Sequence, residues 1–426
     1  MQPSIIIFTN TYPYETGETF LDMELPSLLA LKRPIVFVPL YGDGIARTTP
    51  VTHEAPITIA PPLLPFPPNN RCKLLFYGLF NCAPVFFGVK EFFVQKHWRS
   101  RYRVWRLATS WLLVRAMLSN NRRLFDRLVK DFLPTDPLTL YFYWGDKSVG
   151  LLPFLSKKFQ KQYRSAPLPK TVVRFHGSDL YEKMRGFHPF RRRIFPLIDA
   201  ACPVSQYGAD HLLARYGAIT PPISVARLGT HDYGLGPEPL PETPFHIVTC
   251  ARIVSLKRLH LIWKALRFLY IKKLLPVPVQ WTIIGEGPLR QELEASVKTA
   301  SLSESLCVHF TGLLPHCSII DFYRTTPVDL FILTSESEGV PVSIMEAFSF
   351  GIPAIATAVG GIPEIVTNGT GYLLPPNPSP KEVAKQLLQF IQLPQEQRNA
   401  MRQAARTAWK SEWNAEINFP TFCALL

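Results

Sequence analysis

The chain reads as an α/β protein made of two doubly wound, Rossmann-like domains, and three observations predict it. Short apolar runs alternate with amphipathic stretches, the pattern of parallel strands covered by helices. The length of 426 residues exceeds one ordinary core and suits two domains of about 200 residues each. The composition also shifts in the middle: residues 229–244 carry Gly234, Gly236 and four prolines from Pro237 to Pro244, which marks a linker. Hydrophobic content of 47% supplies two cores, and 18% charged residues argues against disorder. No repeat or low-complexity tract interrupts the series.

In order, strands are expected at Ser4–Phe8, Ile35–Leu40, Leu138–Trp144, Thr171–Phe175, Ala200–Val204 and Ile223–Leu228. Thr16-Gly17-Glu18-Thr19 opens a helix reaching about Leu31, and the helix Ser205–Tyr216 ends at Gly217, a left-handed cap. After the linker, strands are expected at Phe245–Cys250, Val279–Ile284, Val308–Thr311, Val328–Leu333 and Ile352–Thr357. A helix follows near Leu259–Leu269, and two more, near 380–391 and 395–409, close the series. The domains therefore run 1–235 and 236–410, with a tail at 411–426 holding Trp413, Phe419 and Phe422. Open sheets of this kind bind ligands beyond the carboxyl ends of their strands.

The net charge of +14 is placed unevenly. Residues 1–235 hold 30 Lys and Arg against 16 Asp and Glu, while residues 236–426 hold 16 of each. A basic first domain favours an anionic partner, such as acidic lipid or a pyrophosphate-linked acceptor. No nucleic-acid motif accompanies the charge, so nucleic acid ranks last. Between 71 and 130, the apolar run Leu74–Val89 is too short to span a bilayer. Arg99, Arg101, Arg103, Arg106, Arg122, Arg123 and Arg127 follow, interleaved with Trp98, Trp105 and Trp111. That composition fits a helix lying on an anionic membrane, and equally helices covering the first sheet with a solvated basic face.

Seven cysteines without paired spacing predict a reducing, cytoplasmic setting and no zinc site. The start, Met1-Gln2-Pro3-Ser4-Ile5, lacks the pattern of a signal peptide. Asn368-Gly369-Thr370 then marks only a turn. Neither domain carries Gly-x-Gly-x-x-Gly, so a nicotinamide site has no support, and no Asp-x-Asp is present to favour a metal-dependent sugar-nucleotide site.

The most informative string is Ser335-Glu336-Ser337-Glu338-Gly339-Val340-Pro341-Val342-Ser343-Ile344-Met345-Glu346-Ala347. Glu338-Gly339 falls on the loop after a buried strand. Pro341 suits the first position of a helix, and Gly339 frees the turn before it. The first amides of that helix lack internal partners and can meet an anion or a hydroxyl. Glu346, one turn after Val342, can face the same cleft. A carboxylate pair there suits a hydroxyl-rich ligand, although one acid at a helix start also complements the dipole. Arg252 and Lys257 lie on the loop after Phe245–Cys250, where two cations can grip a diphosphate. Ile284-Gly285-Glu286-Gly287-Pro288 is a tight strand-to-helix turn whose glycines let backbone approach a ligand. His176-Gly177-Ser178-Asp179 follows Thr171–Phe175 directly.

This string, with Phe350–Thr357, Gly360–Val366 and Asn368–Leu373, resembles the donor-site motif of the family 4 glycosyltransferases, the large retaining GT-B group. His-Gly-x-Asp at 176–179 and Tyr12-Pro13-Tyr14-Glu15-Thr16-Gly17-Glu18-Thr19-Phe20 resemble the exopolysaccharide, colanic acid and lipopolysaccharide subgroup. The resemblance covers most of 4–40 and 138–375 and little of 55–130.

It implies two domains facing across a cleft, and a C-terminal helix crossing back to the first. It implies metal-independent transfer of a hexose-type sugar, with retention, from a UDP- or GDP-sugar to a lipid-linked or saccharide acceptor. No cofactor is implied. The setting would be the cytoplasm, at the inner face of the plasma membrane, in envelope polysaccharide assembly. Arg252 and Lys257 would hold the diphosphate and stabilise its charge as the glycosidic bond breaks. Glu346 would accept from ribose and Glu338 from the donor sugar, with Gly285, Gly287, Gly339, Val340 and Pro341 beside the nucleotide. His176, with Asp179, would orient the reacting sugar on the acceptor side. Gly17 would approach the diphosphate, in a first loop where relatives often carry two adjacent glycines. Rival readings are a sugar-nucleotide epimerase, a phosphorylase or an inactive assembly partner. Epimerases and phosphorylases need acidic pairs of their own or a pyridoxal lysine, for which there is no signature here, and the intact Arg252, Lys257, Glu338 and Glu346 oppose inactivity.

Overall fold

A computed structural model describes residues 5–14, 18, 20–42, 56–66, 73–74, 100–130, 137–164, 167–182 and 186–426. Gly17, Trp98, Arg99 and nearly all of the apolar run after Leu74 lie outside the described residues. The chain forms two compact units, 1–226 with 419–426, and 227–418.

The first unit holds a six-stranded parallel sheet in the order β3-β2-β1-β4-β5-β6. Its strands are β1 (Ile5–Thr9), β2 (Ile35–Pro39), β3 (Ile57–Ile59), β4 (Thr139–Phe142), β5 (Lys170–Phe175) and β6 (Ala200–Pro203). Every residue of β1 and β4 is buried, as expected for strands covered on both faces. Alternation sorts their side chains. Ile6 and Phe8 join Leu113, Val114 and Met117 of the helix Arg101–Asn120. Ile5 and Ile7 pack on the other face with Leu21, Leu25 and the C-terminal Phe422, Cys423 and Leu426. Under that terminus lies a fully buried ion pair, Arg174 with Glu24. Tyr141 donates to Glu24 at 3.0 Å, and the Phe422 ring lies 4.3 Å from the Arg174 guanidinium. Burial pushes the Glu24 carboxyl above its ordinary range, against the pull of Arg174.

The expected strand Ile223–Leu228 is not a full strand. Ile223 bridges to Ala201, and only the amides of Ser224 and Ala226 reach β6. Pro221 and Pro222 precede it and have no amide proton to extend the ladder.

The second unit repeats the plan in the order β12-β11-β10-β7-β8-β9. Its strands are β7 (Phe245–Cys250), β8 (Val279–Ile284), β9 (Leu306–Gly312), β10 (Leu330–Leu333), β11 (Ala354–Thr357) and β12 (Gly371–Leu374). Numbered within its own unit, this is the same 3-2-1-4-5-6 order. Each sheet reverses winding once, between β1 and β4 and between β7 and β10, and ligands of such sheets bind beyond the strand ends at that point. Helices Leu259–Ile271 and Pro380–Ile391 cover one face, burying Trp263, Leu266, Val383 and Leu387. A capping box between Ser379 and Glu382 starts the latter. Among the described residues, no helix is long and apolar enough to cross a membrane.

Candidate functional site

In the second unit, the loops leaving β7 and β10 meet at the reversal point. Lys257 on the first loop forms an ion pair with Glu338 on the second. Arg258, in a left-handed conformation, ties the two loops together. Its guanidinium donates to the carbonyls of Thr334 at 2.7 Å, Ser335 at 2.7 Å and Pro376 at 2.8 Å. The Thr334 hydroxyl donates back to the Arg258 carbonyl at 3.0 Å. Arg252 sits exposed on the same loop and forms no ion pair among the described residues. One cation of the predicted pair is thus engaged and the other available.

Glu338 is 9% exposed, and its backbone is held from behind. Gly361 donates to the Gly339 carbonyl at 2.7 Å. Gly360, at φ +56°, lies so close that any Cβ would collide with the Glu338 carbonyl. Pro341 takes the N-cap of the helix Val342–Ser349 rather than its first turn. Gly339, Val340 and Pro341 are buried at its entrance. Glu346 is 5% exposed on that helix and receives His316 Nε2 at 2.8 Å. At the end of β8, a Cβ on Gly285 or Gly287 would strike the carbonyls of Ala251 and Ile253. Their bare backbone therefore packs against the cation loop itself. The helix after this turn begins at Arg290, with Pro288 two residues before it.

The first unit has its own cluster at the β1–β4 reversal. The Asp179 carboxylate, fully buried, accepts from the amides of His176 at 2.8 Å, Gly177 at 2.9 Å and Gly145 at 2.8 Å. Burial alone would raise this carboxyl. The His176 imidazole beside it and the amides of Gly145 and Gly177 outweigh burial and hold it well below its ordinary value. The His176 ring lies in an aromatic pocket, tilted against Trp144 at 4.4 Å, Tyr143 at 4.8 Å and Phe20 at 5.8 Å. Both its ring nitrogens are buried without a hydrogen-bond partner, an arrangement that a ligand hydroxyl would complete.

Three residues of these clusters escaped the sequence reading. His316 is a lone histidine, 30 residues from Glu346, and only folding pairs them. Arg258 follows the Arg252–Lys257 pair directly, and the spacing argument gives it no role. Glu18 is the third. Its buried carboxylate accepts from the successive amides of Asn10 at 2.9 Å, Thr11 at 2.8 Å and Tyr12 at 2.7 Å, and from the Trp144 indole. It fills the anion nest formed after β1. The sequence holds two acids in this loop, Glu15 and Glu18, and local pattern does not say which one folds back onto the amides.

Known proteins resemble this chain in sequence and in fold. Residues 236–408 match the family model "Glycosyl transferases group 1". WcaL of Escherichia coli (strain K12), a glycosyltransferase named for colanic acid biosynthesis, is 31% identical over 235 residues. That stretch covers 53% of this chain and 56% of WcaL. The amylovoran biosynthesis glycosyltransferase AmsK of Erwinia amylovora is 28% identical over 236 residues, 52% of this chain and 55% of AmsK. The chain thus spans about half the length of the curated relatives it matches. Among solved structures, the lipopolysaccharide outer core galactosyltransferase WaaB superposes with a TM-score of 0.63 at 14% identity, covering 99% of this chain and 98% of WaaB. Anabaena HepE, solved with UDP and glucose, gives 0.60 at 15% identity, covering 98% of each chain. These likenesses establish the fold. The chain has the GT-B fold, and its residues 236–408 match the group 1 glycosyl transferases.

Proposed function

We propose that the protein transfers a hexose-type sugar from a nucleotide-sugar, most simply a UDP-sugar, to a lipid-linked or saccharide acceptor in cell-envelope polysaccharide assembly. The observation that carries this reading is the second-unit site. There Lys257, Glu338 and Glu346 converge at a sheet reversal inside the group 1 domain. Lys257 and Arg252 hold the diphosphate and stabilise the charge it gains as the glycosidic bond breaks. Glu346 accepts from ribose hydroxyls, with His316 steadying its carboxylate. Glu338 accepts from hydroxyls of the donor sugar. Gly285, Gly287, Gly339, Val340 and Pro341 bring backbone close to the nucleotide. His176 orients the reacting sugar, and Asp179 holds the His176 loop. Transfer proceeds with retention, as the family resemblance implies, and without a metal, because fixed cations meet the leaving diphosphate. The protein works in the cytoplasm at the inner membrane face, held by the basic helices of its first unit. The names of WcaL and AmsK support the exopolysaccharide setting, and the HepE complex supports UDP.

Thermal-shift measurements with UDP, GDP and ADP test the donor site, since a ligand that binds the native state raises apparent stability. Selective stabilisation by one diphosphate is expected, and none by any of the three would sink the reading. Transfer assays with and without EDTA, with the product anomer read by NMR, test the metal and retention assignments.

A further inference from the structure

A second cavity, of about 350 Å³, lies within the first unit. It is bounded by the helix Arg101–Asn120, the turn Gly145–Gly150, Phe175 at the end of β5, and residues 188–198. Leu112, Val149, Phe175, Phe190 and Phe195 make its walls largely apolar. Four basic side chains, Arg106, Lys147, His188 and Arg191, also line it, against one acid, Asp146.

Arg191 is the informative member. It is 3% exposed, and its guanidinium sits 5.5 Å from the rings of Phe175 and Tyr216 and 5.7 Å from that of Phe195. It donates to the Asp179 carbonyl and to the Tyr216 hydroxyl, while its Nε is buried without a partner. No carboxylate pairs with it among the described residues. A buried cation without a counter-charge is costly, and an anion in the cavity would remove that cost. Apolar walls beside a basic cluster match a ligand with a hydrocarbon chain and an anionic end. The helix at the rim adds Tyr102 and Trp105, each 48% exposed, with Trp105 lining the cavity.

We infer that this cavity binds the phosphate-bearing end of a lipid, a hydrocarbon chain ending in phosphate or diphosphate. The inference rests on the glycosyltransferase reading and names the anchor of its acceptor. The structure also links this cavity to His176. The turn after β4 packs Trp144 against His176 and donates the Gly145 amide to Asp179, and its next residues, Asp146 and Lys147, line the cavity. A bound phosphate therefore touches the same turn that shapes the His176 pocket.

The test is calorimetry with farnesyl diphosphate, inorganic diphosphate and farnesol, each in the presence of saturating UDP. Farnesyl diphosphate should bind at least about tenfold more tightly than either fragment. The double variant Arg106→Gln, Lys147→Gln should weaken it by about tenfold, and the cavity-filling Ser110→Phe should abolish it. An unchanged far-UV circular dichroism spectrum and melting temperature without ligand show that these variants remain folded. Equal affinity for farnesyl diphosphate and inorganic diphosphate would reduce the site to a free phosphate site and overturn the inference. So would binding insensitive to Ser110→Phe, or binding lost when UDP is added. A protein that binds UDP but not farnesyl diphosphate loses this inference alone. One that binds the lipid but no nucleotide loses the glycosyltransferase reading instead.

Discussion

The substitution Lys257→Ala probes the donor site most directly. In the unliganded protein the Lys257 ammonium is paired with Glu338, and the two side chains are 21% and 11% exposed. A diphosphate must draw Lys257 from this partner or share it. A charge-assisted hydrogen bond contributes roughly 1.5–3 kcal/mol, and exchange of one charged partner for another places the net loss toward the lower figure. At about 1.4 kcal/mol per decade, UDP should bind roughly ten- to thirtyfold more weakly to Lys257→Ala. Uridine, which has no phosphate, should bind as before.

Glu338→Gln supplies the complementary sign. It releases Lys257 from its partner, so UDP affinity should hold or rise. Sugar transfer should fall, because the carboxylate proposed to receive donor-sugar hydroxyls is gone. The two effects should couple in a double-mutant cycle, as expected for residues in contact. Titration calorimetry with UDP and uridine on all four proteins decides the matter. Equal losses for UDP and uridine in Lys257→Ala, or a UDP loss in Glu338→Gln as large as in Lys257→Ala, would refute the assignment of diphosphate to the lysine.

Glu346→Ala should weaken nucleotide binding, since a ribose contact exists in ground and transition states alike, whereas His176→Ala should lower turnover with nucleotide affinity nearly intact; the opposite pattern would reverse the roles given to the two units. Asp179→Asn should destabilise the first unit by about 1–3 kcal/mol at neutral pH, because an amide nitrogen would then face an amide donor. The native Asp179 carboxyl lies below its ordinary value, so its contribution is complete above about pH 4 and is lost as pH falls further. Thermal denaturation should therefore show a flatter acid limb for Asp179→Asn than for wild type, and parallel limbs would count against the assignment. Vesicles test the basic helices of the first unit: Arg101, Arg103, Arg122 and Arg123 are all exposed and each can contribute about 1 kcal/mol near an anionic surface. Wild type should sediment with anionic vesicles at low salt and be partly released by high salt, and changing all four to Gln should reduce binding without lowering the melting temperature. Indifference of wild type to anionic vesicles would leave these helices as cover on the sheet.

Much of the fold was legible because buried parallel strands are written as continuous apolar runs. Ten of the twelve strands are anticipated to within a few residues, and the 335–347 string singles out the loop after β10 on which Glu338 meets Lys257. Two strands were missed, β3 and β12. They are three and four residues long and are bounded by prolines or opened by glycine, too short to show a period. The basic segment at 101–130 left cover and membrane contact open, and the fold divides it. Leu112, Leu113, Ala116 and Met117 go into the core, while Tyr102, Trp105, Arg101 and Arg103 remain exposed.

The sequence by itself determined the alternating architecture and the turn glycines, because these depend on neighbours a few residues apart. Tertiary structure alone decided the partners. Lys257 meets Glu338 across 81 residues, His316 meets Glu346 across 30, and Arg174 meets Glu24 across 150. Local pattern carries no record of such pairs, since sheet order sets which loops become neighbours. The same holds for Arg191. In the sequence it is one of three consecutive arginines; in the fold it is a buried cation in an apolar wall, held there by aromatic rings from β5 and two separate helical segments.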